Sequence, residues 1–421
     1  MTPLETASQL TGRARIASSV LANATTAQKN HALAALADEL AGPARMAILE
    51  ENEVDIATAK LAGLSEAMLE RLRLNDGRLL DLSKAVRAIA ALPDPVGAVS
   101  SLTTRPSGIQ VGKMRVPLGV ICIVYESRPN VTVDAAALCL KAGNAVVLRG
   151  GKEALRSNRA LASVVRDALS QAGLPKDAAL FVDDTDRELL YAILKQSKNI
   201  DLAIPRGGPA LIQAVNEHAT VPVIQHYQGI CHVYVHHSAD LDVAERVVVN
   251  GKASRPGVCN ATECLVVDAA VAPAFLPRVI EALQAAGVEV RGDTHTRAVV
   301  PHVKPAVPED FDTEFLALTI AVRVVDGYDD AVAFLARHGS RHTETIVTRD
   351  HDVAMRFLRE VDASCVLVNA STRFNDGGEL GLGAELGIST SKLHAYGPMG
   401  LEELCAQKWI VLGHGETRGK P

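Results

Sequence analysis

The chain has 421 residues, of which 48% are hydrophobic and 22% charged, and its formal net charge at pH 7 is −6. This length predicts two or three domains, and this composition excludes an intrinsically disordered chain. The negative charge argues against nucleic acid as the main partner, since phosphate backbones require a basic surface. No apolar run reaches the roughly 18 residues of a membrane span. The seven cysteines, odd in number and irregular in spacing, favour reduced thiols and a cytoplasmic location.

The first ninety residues or so predict an all-helical arm, residues 1–96. After Thr26, several apolar residues fall on one helical face before Gly42-Pro43 ends the pattern: Ala32, Leu33, Leu36 and Leu40. Two strand-like runs then follow, joined by Arg105–Gly108, whose composition is typical of a hairpin turn. We therefore predict a hairpin over residues 97–118, outside the main sheet and suited to oligomerisation.

From Gly119 onward, strand-like and helix-like segments alternate. The run Gly119–Val124 precedes a predicted helix over Asn130–Ala142, with Asn130 as its N-cap. Repeated strand–helix–strand units predict a parallel sheet with helices on both faces. A break around Val221–Gly229 divides the series. The predicted fold class is therefore α/β, with two consecutive parallel-sheet domains.

The most concentrated chemistry lies in the segment Ser254–Thr262. Its Cys259 follows a loop with Pro256 and Gly257 and precedes a strand, so we expect the sulfur to project from a turn. An adjacent arginine and backbone N–H groups stabilise a thiolate, which attacks carbonyl carbons. The cysteine's own amide and a side-chain amide such as that of Asn260 would then hold an oxyanion. The same pattern also fits a buried structural thiol, and the sequence leaves both alternatives open.

Two further segments follow strands and lead into helices, where parallel sheets bind ligands. One is Tyr125–Asn130, and the other is Arg149–Lys152, in which Gly150 and Gly151 separate two cations. Paired glycines let phosphates approach backbone N–H groups, although a solvated surface turn explains the second segment equally well. The usual three-glycine dinucleotide fingerprint is missing. No set of histidines or cysteines has metal-ligand spacing, so we predict no metal.

Several motifs carry a family resemblance. The Cys259 loop, Pro129-Asn130, Gly143-Asn144 and Val368-Asn369 together resemble the aldehyde dehydrogenase superfamily. Longer motifs across nearly the whole chain are similar to its gamma-glutamyl phosphate reductase family: Val116–Val120, Tyr125–Thr132, Gly229–Val235, Arg255–Glu263, His338–Ile346 and Ser371–Gly381. Phe334 and Leu335 stand where that family's signature usually carries His and Ile, a departure that we expect to affect packing.

The resemblance implies reduction of L-glutamyl 5-phosphate by NADPH to L-glutamate 5-semialdehyde and phosphate, a step of proline biosynthesis. Cys259 would displace phosphate to form a thioester, which hydride transfer would convert to the aldehyde. In aldehyde-oxidising relatives a glutamate activates water against the thioester. Here that position falls on Gln225, which cannot act as a base. The resemblance also implies a homo-oligomer and leaves open an association with glutamate 5-kinase.

The resemblance further implies binding residues. In the superfamily, an asparagine holds the oxyanion. Spacing places Glu126 at the position of this asparagine, whereas residue type favours Asn130. The superfamily lysine that contacts the adenosine ribose corresponds to Arg149, and the superfamily's acidic ribose-binding residue corresponds to Lys152. A cation at these positions attracts the 2′-phosphate and so favours NADP. The implied cofactor-binding residues are Arg149, Gly150, Gly151, Lys152, Arg206, Gly207, Gly208 and Glu314. The implied substrate-binding residues are Arg128, Arg255, Ser371 and Arg373.

The resemblance assigns residues 119–228 to an NADP-binding domain, with residues 1–96 as its arm, and 229–395 to a catalytic domain. Residues 396–421 return to the cofactor and oligomerisation region. Two alternatives remain: an NAD(P)-dependent aldehyde dehydrogenase that releases a free acid, and a non-catalytic nucleotide-binding protein with Cys259 as a redox sensor. Phosphate-dependent oxidation of the semialdehyde would distinguish the reductase from both alternatives.

Overall fold

The computed structural model describes residues 1–224 and 228–418 and divides them into two compact units. The first contains residues 1–224, 382–387 and 399–418, and the second contains 228–381 and 388–398. Within the described residues, no helix has the length and apolar character to cross a membrane. The predicted catalytic domain 229–395 thus includes one segment, 382–387, that packs with the first unit.

The helices alternate with strands from residue 120 onward, after five helices at the N-terminus. In chain order they are α1 (Pro3–Leu21), α2 (Thr26–Ala41), α3 (Arg45–Leu61), α4 (Glu66–Leu72), α5 (Asp76–Ala91), α6 (Asn130–Lys141), α7 (Leu155–Gln171), α8 (Arg187–Leu194), α9 (Pro209–His218), α10 (Leu241–Ala253), α11 (Ala272–Ala285), α12 (Thr294–Val299), α13 (Tyr328–His338) and α14 (His351–Glu360).

The strands form two parallel sheets, one three-stranded antiparallel sheet and one short pair. In chain order they are β1 (Val99–Thr104), β2 (Gln110–Pro117), β3 (Val120–Tyr125), β4 (Ala145–Arg149), β5 (Ala179–Phe181), β6 (Leu202–Arg206), β7 (Cys231–Val235), β8 (Thr262–Asp268), β9 (Glu289–Gly292), β10 (Lys304–Pro305), β11 (Thr319–Val325), β12 (Thr343–Val347), β13 (Cys365–Val368), β14 (Ile388–Ser389), β15 (Gly397–Pro398) and β16 (Cys405–Leu412).

The N-terminal helices have clear start signals. Thr2 and Thr25 each form a reciprocal capping box, with Glu5 and Gln28 respectively, so backbone N–H groups at both helix starts are satisfied. The predicted apolar face of α2 is confirmed, since its members are at most 1% exposed: Ala32, Leu33, Leu36 and Leu40. Helix α2 ends at Ala41, directly before Gly42, as the sequence predicted.

The antiparallel sheet has the order β1-β2-β16. The predicted hairpin is present, and its turn closes through the Gly108 N–H, which donates to the Arg105 carbonyl at 2.9 Å. Gly108 has φ +94°, a left-handed conformation that favours glycine. The sequence did not predict that β16 would pair along the whole of β2. Because all of β1 is exposed, this sheet presents an open edge and face.

The parallel sheet of the first unit has the order β5-β4-β3-β6. All of β3 is buried, and helices α6 to α9 follow or connect its strands, as expected for a parallel sheet covered by helices. The prediction that Asn130 is the N-cap of α6 was wrong. Helix α6 begins at Asn130 itself and has Pro129 in the capping position, and the Asn130 amide donates to the Asp134 carboxylate at 2.9 Å.

The parallel sheet of the second unit has the order β10-β9-β11-β8-β7-β12-β13. Strands β7, β8 and β12 are wholly buried, and they lie next to one another in its middle. The sequence predicted most of these strands but not β9 and β10, nor the helix α12 between them; all three are too short to show clear periodicity. The central position of β7 and β8 matters for function, because the candidate nucleophile precedes β8.

Candidate active site

Cys259 lies in a turn between the end of α10 and the start of β8, at the amino-terminal edge of the second unit's sheet. The Ala261 N–H donates to the Val258 carbonyl at 3.1 Å and closes the chain around the cysteine. Cys259 is only partly buried. The structure therefore gives this thiol the turn position that the sequence predicted for a nucleophile.

The backbone that precedes β7 packs directly against the Cys259 backbone. A β-carbon placed on Gly229 would lie 1.9 Å from the Cys259 carbonyl oxygen, so only glycine allows this approach. The Cys231 thiol contacts the same oxygen at 3.2 Å. The sequence alone does not distinguish Gly229, since one glycine in a motif does not reveal what its backbone touches.

Asn260 holds the nucleophile loop against the loop after β13. It is 3% exposed, and its side-chain amide donates to the carbonyls of Asn375 at 2.9 Å and Arg373 at 3.4 Å. Both amide hydrogens are thus used in this structure, so an oxyanion role for Asn260, which stays a prediction, would require one of these bonds to break. Its geometry fits the positioning of Cys259.

The predicted substrate residues of the second unit lie on these same two loops. Arg255 is exposed, four residues before the nucleophile. Arg373 is half-buried, and its carbonyl receives the Asn260 amide. Ser371 is buried, and its hydroxyl accepts from the Arg373 N–H at 3.3 Å, so it caps a short helical turn. The structure brings Arg255 and Arg373 to connected loops and gives Ser371 a role in shaping one of them.

A buried ion pair joins the two ends of the nucleophile loop. Lys252 on α10 and Glu263 on β8 are 0% and 1% exposed, and the ammonium contacts the carboxylate. Burial raises the pKa of Glu263 to about 7 and lowers the pKa of Lys252, while their mutual attraction opposes both shifts. Glu263 also accepts from the Leu316 N–H at 3.3 Å. The pair therefore connects the nucleophile loop to the segment that carries Glu314.

Glu314 lies within this network. Its carboxylate accepts from the Gly229 N–H at 3.0 Å, and burial raises its pKa. Leu316, two residues later, has φ +52°, which is strained for a leucine and is held by the contact with Glu263. Glu314 is thus connected through Gly229 to the backbone of Cys259.

The segment His338–Ile346 packs against Ile230 and Cys231 at the start of β7. The Ser340 hydroxyl accepts from the Ile230 N–H at 2.9 Å, and His342 Nδ1 lies 3.5 Å from the Cys231 sulfur. Phe334, where the family signature usually has another residue, packs edge-on against His232 with ring centroids 6.0 Å apart. Its contacts are those of a packing residue, as expected.

In the first unit, the predicted cofactor residues lie where β4 and β6 end. Arg149 donates to the Gly150 carbonyl at 3.0 Å and to the Thr185 carbonyl at 2.8 Å. These bonds give Arg149 a role in shaping the strand end, and its contact with the adenosine ribose stays a prediction. Lys152 is exposed. A β-carbon on Gly150 would lie 2.1 Å from the Asn158 amide nitrogen, so this glycine is required by packing.

The second predicted phosphate loop follows β6. Gly208 precedes α9, and its N–H donates to the Glu126 carboxylate at 2.8 Å. A β-carbon on Gly207 would lie 2.4 Å from the same carboxylate, and Arg206 is partly buried at the strand end. The backbone donor of this loop thus has the Glu126 side chain as its partner, and a helix N-terminus is a position that favours anions.

The oxyanion candidates also lie in the first unit. The Glu126 side chain accepts from the Gly208 N–H and has no amide hydrogen to donate, which argues against it. Asn130 uses one amide hydrogen on Asp134 and has a second. Arg128 is exposed in the turn before α6. Gln225 lies outside the described residues.

The comparison with known proteins identifies the chain's family. A model of the aldehyde dehydrogenase family matches residues 13–312. Over 96% of both chains, the sequence is 56% identical to a gamma-glutamyl phosphate reductase of Sorangium cellulosum. The chain belongs to the gamma-glutamyl phosphate reductases. A relative of the same name from Geobacter metallireducens is 51% identical over 99% of this chain and 100% of its own.

A solved structure supports the same family. The crystal structure of the gamma-glutamyl phosphate reductase of Thermotoga maritima is 44% identical, covers 98% of this chain and 100% of its own, and has a TM-score of 0.96. The predicted α/β, aldehyde dehydrogenase-like fold class is therefore confirmed. Membership of the gamma-glutamyl phosphate reductases makes the chain an oxidoreductase with a nicotinamide cofactor and a small-molecule substrate.

Proposed function

We propose that this chain reduces L-glutamyl 5-phosphate with NADPH, giving L-glutamate 5-semialdehyde, phosphate and NADP⁺ for proline biosynthesis. The observation that carries this proposal is the partly exposed Cys259 in a turn fixed by Gly229 and Asn260. A loop held in this way presents its thiol to a bound acyl group from a fixed backbone position.

In the proposed reaction, the Cys259 thiolate attacks the carbonyl carbon of the acyl phosphate. A tetrahedral adduct forms, the bond from that carbon to the phosphate oxygen breaks, and a thioester remains on Cys259. A nicotinamide cofactor, held by the residues named below, would supply the hydride that reduces the thioester carbonyl carbon. The carbon–sulfur bond then breaks, which releases the aldehyde and restores the Cys259 thiolate. Asn130, with its remaining amide hydrogen, is the proposed oxyanion donor.

The substrate carries an α-carboxylate, an α-ammonium group and an acyl phosphate. Arg255 is the proposed phosphate ligand, because it is an exposed guanidinium on the nucleophile loop. Arg373 and Arg128 are the proposed cations for the remaining anionic group, and Ser371 supports Arg373 through its cap. These roles follow from charge and position on the loops.

The residues present fit a phosphorylated dinucleotide. Lys152 is an exposed cation after β4, and Gly208 lies at the N-terminus of α9, so both positions suit anions. We assign Lys152 to the 2′-phosphate, and Gly150, Gly151, Arg206, Gly207 and Gly208 to the two phosphate-side loops. Glu314 has a second carboxylate oxygen for a ribose hydroxyl of the nicotinamide half. The cation at Lys152 favours NADP over NAD.

The chain is also proposed to form a homo-oligomer through its antiparallel sheet. Several large apolar side chains there are exposed: Val99, Leu102, Trp409, Val411 and Leu412. Light scattering on the purified chain measures the oligomeric state.

The experiment that tests the activity runs the reaction in reverse with purified protein. NADP⁺ reduction must require both the semialdehyde and phosphate, and Cys259→Ala must abolish it while circular dichroism shows an unchanged fold. Reduction that proceeds without phosphate would instead indicate a dehydrogenase that releases a free acid. No reduction with an intact, unmodified Cys259 would support the non-catalytic thiol protein.

A further inference from the structure

Three potential metal ligands converge at the carboxyl-terminal edge of the second unit's sheet. His236 and His237 directly follow β7, and Asp268 is the last residue of the neighbouring β8. Their ligand atoms all lie within 4.8 Å of one another. Cys259 precedes β8 and so lies towards the opposite edge of the sheet. The cluster is therefore separate from the nucleophile.

The other polar atoms of two of these side chains are fixed by neighbours. His236 Nδ1 lies 2.9 Å from the Ser238 hydroxyl and 3.3 Å from that of Thr348. Oδ2 of Asp268 accepts from the Tyr234 hydroxyl at 3.2 Å and from the His237 N–H at 2.9 Å. Such contacts orient His236 Nε2 and Asp268 Oδ1. Metal-binding imidazoles and carboxylates are held in the same way by outer hydrogen bonds.

A contact between His237 and Asp268, whose atoms lie 3.3 Å apart, explains two of the three side chains but not the position of His236. The rings of His236 and His237 have centroids only 3.9 Å apart. Two imidazoles this close together can each direct a nitrogen lone pair at one shared cation. The side chain of His237 is 59% exposed, so it can rotate and an ion can reach it from solvent.

We propose that His236, His237 and Asp268 form a binding site for a divalent transition-metal ion of the Zn²⁺ type. Two imidazole nitrogens and one carboxylate oxygen match the ligands of Zn²⁺, whereas Mg²⁺ and Ca²⁺ prefer oxygen ligands alone. Water completes the coordination. The ion would join the ends of β7 and β8 and stabilise the second unit, and it takes no part in the proposed reduction. Histidine spacing alone does not reveal this site, because Asp268 is distant in sequence.

The test uses the full-length chain with Cys259→Ser, since the thiolate of the nucleophile itself binds zinc. After treatment with a chelator, ZnCl₂ is added in isothermal titration calorimetry, and CoCl₂ in absorption spectroscopy. We expect one equivalent of Zn²⁺ to bind, a higher melting temperature, and cobalt ligand-field bands. His237→Ala should weaken binding about tenfold or more and remove the bands. His351→Ala, at an exposed histidine on α14, should change neither.

Equal Zn²⁺ affinity in the His237→Ala and parent proteins would overturn the proposal, as would a parent protein that binds no Zn²⁺. Loss of binding in His351→Ala but not in His237→Ala would place the ion elsewhere and also overturn it. Asp268→Asn provides a second variant that keeps one side-chain acceptor. These measurements do not depend on enzymatic activity, so they stand whether or not the proposed reduction is correct.

Discussion

The backbone of Gly229 lies against that of Cys259 so closely that a β-carbon on residue 229 would fall 1.9 Å from the Cys259 carbonyl oxygen. Gly229→Ala must therefore push the nucleophile loop away. A displacement of about 1 Å at a reacting group can reduce the rate about a hundredfold, so we expect a fall in kcat of that order. Steady-state kinetics measure it. Gly12→Ala, on α1 with open space around it, should leave kcat unchanged.

Cys259 should be alkylated by iodoacetamide faster than the other six cysteines. Burial raises the pKa of Cys122 and Cys405 to about 12 and that of Cys365 to about 11, and it raises the pKa values of the others as well. A thiol reacts only as its thiolate, so these six react slowly at pH 8. Peptide mass spectrometry after brief labelling identifies the site. Preferential labelling of Cys231 or Cys264 would refute the assignment of the nucleophile.

Arg255→Lys should raise the KM for phosphate in the reverse reaction. A lysine keeps the charge but loses the forked, two-hydrogen-bond geometry that suits phosphate, so we expect an increase of about tenfold. Arg246→Lys, at an exposed position on α10, serves as the matched control. An unchanged KM for phosphate in Arg255→Lys would show that Arg255 does not bind this group.

Lys152→Glu should weaken NADPH binding far more than NADH binding. A charge-assisted contact to the 2′-phosphate contributes about 1.5–3 kcal/mol, which corresponds to roughly a tenfold to hundredfold preference. The new carboxylate repels the phosphate and can accept from a free 2′-hydroxyl. Fluorescence titration with both cofactors measures the difference. Lys198→Glu, an exposed charge reversal before β6, should affect neither, and an equal loss with both cofactors in Lys152→Glu would argue against this role.

Lys252→Met should destabilise the protein strongly, because it leaves the buried Glu263 carboxylate without its partner. Removal of one member of a buried pair costs about 3–5 kcal/mol, whereas replacement of both by apolar residues is often neutral. The double variant Lys252→Met/Glu263→Met should therefore regain most of the free energy of unfolding in urea. Its kcat should stay low, since the Leu316 N–H has lost its acceptor.

The control for this pair is Lys84→Met, which breaks an exposed pair with Asp81. Such surface pairs contribute about 0–1 kcal/mol, so its unfolding curve should barely shift. If the double variant recovered full kcat together with its stability, the pair would serve stability alone.

The sequence by itself determined the strand–helix alternation and the family, and it singled out Cys259 as the candidate nucleophile. Buried strands of a parallel sheet are continuous apolar runs, as in Val120–Tyr125, and such runs are visible without any tertiary information. Cys259 stands out because its loop chemistry is local: a proline, a glycine and an arginine lie within four residues of it.

Only the tertiary structure decided what the polar side chains contact. Asn260 and Arg149 have the residue types expected of site groups, yet both donate to backbone carbonyls of other loops. Conversely, Gly229 approaches Cys259 from 30 residues away in sequence, and Lys252 meets Glu263 only because α10 packs on β8. Hydrogen bonds and close approaches depend on distances in space, which spacing along the chain does not encode.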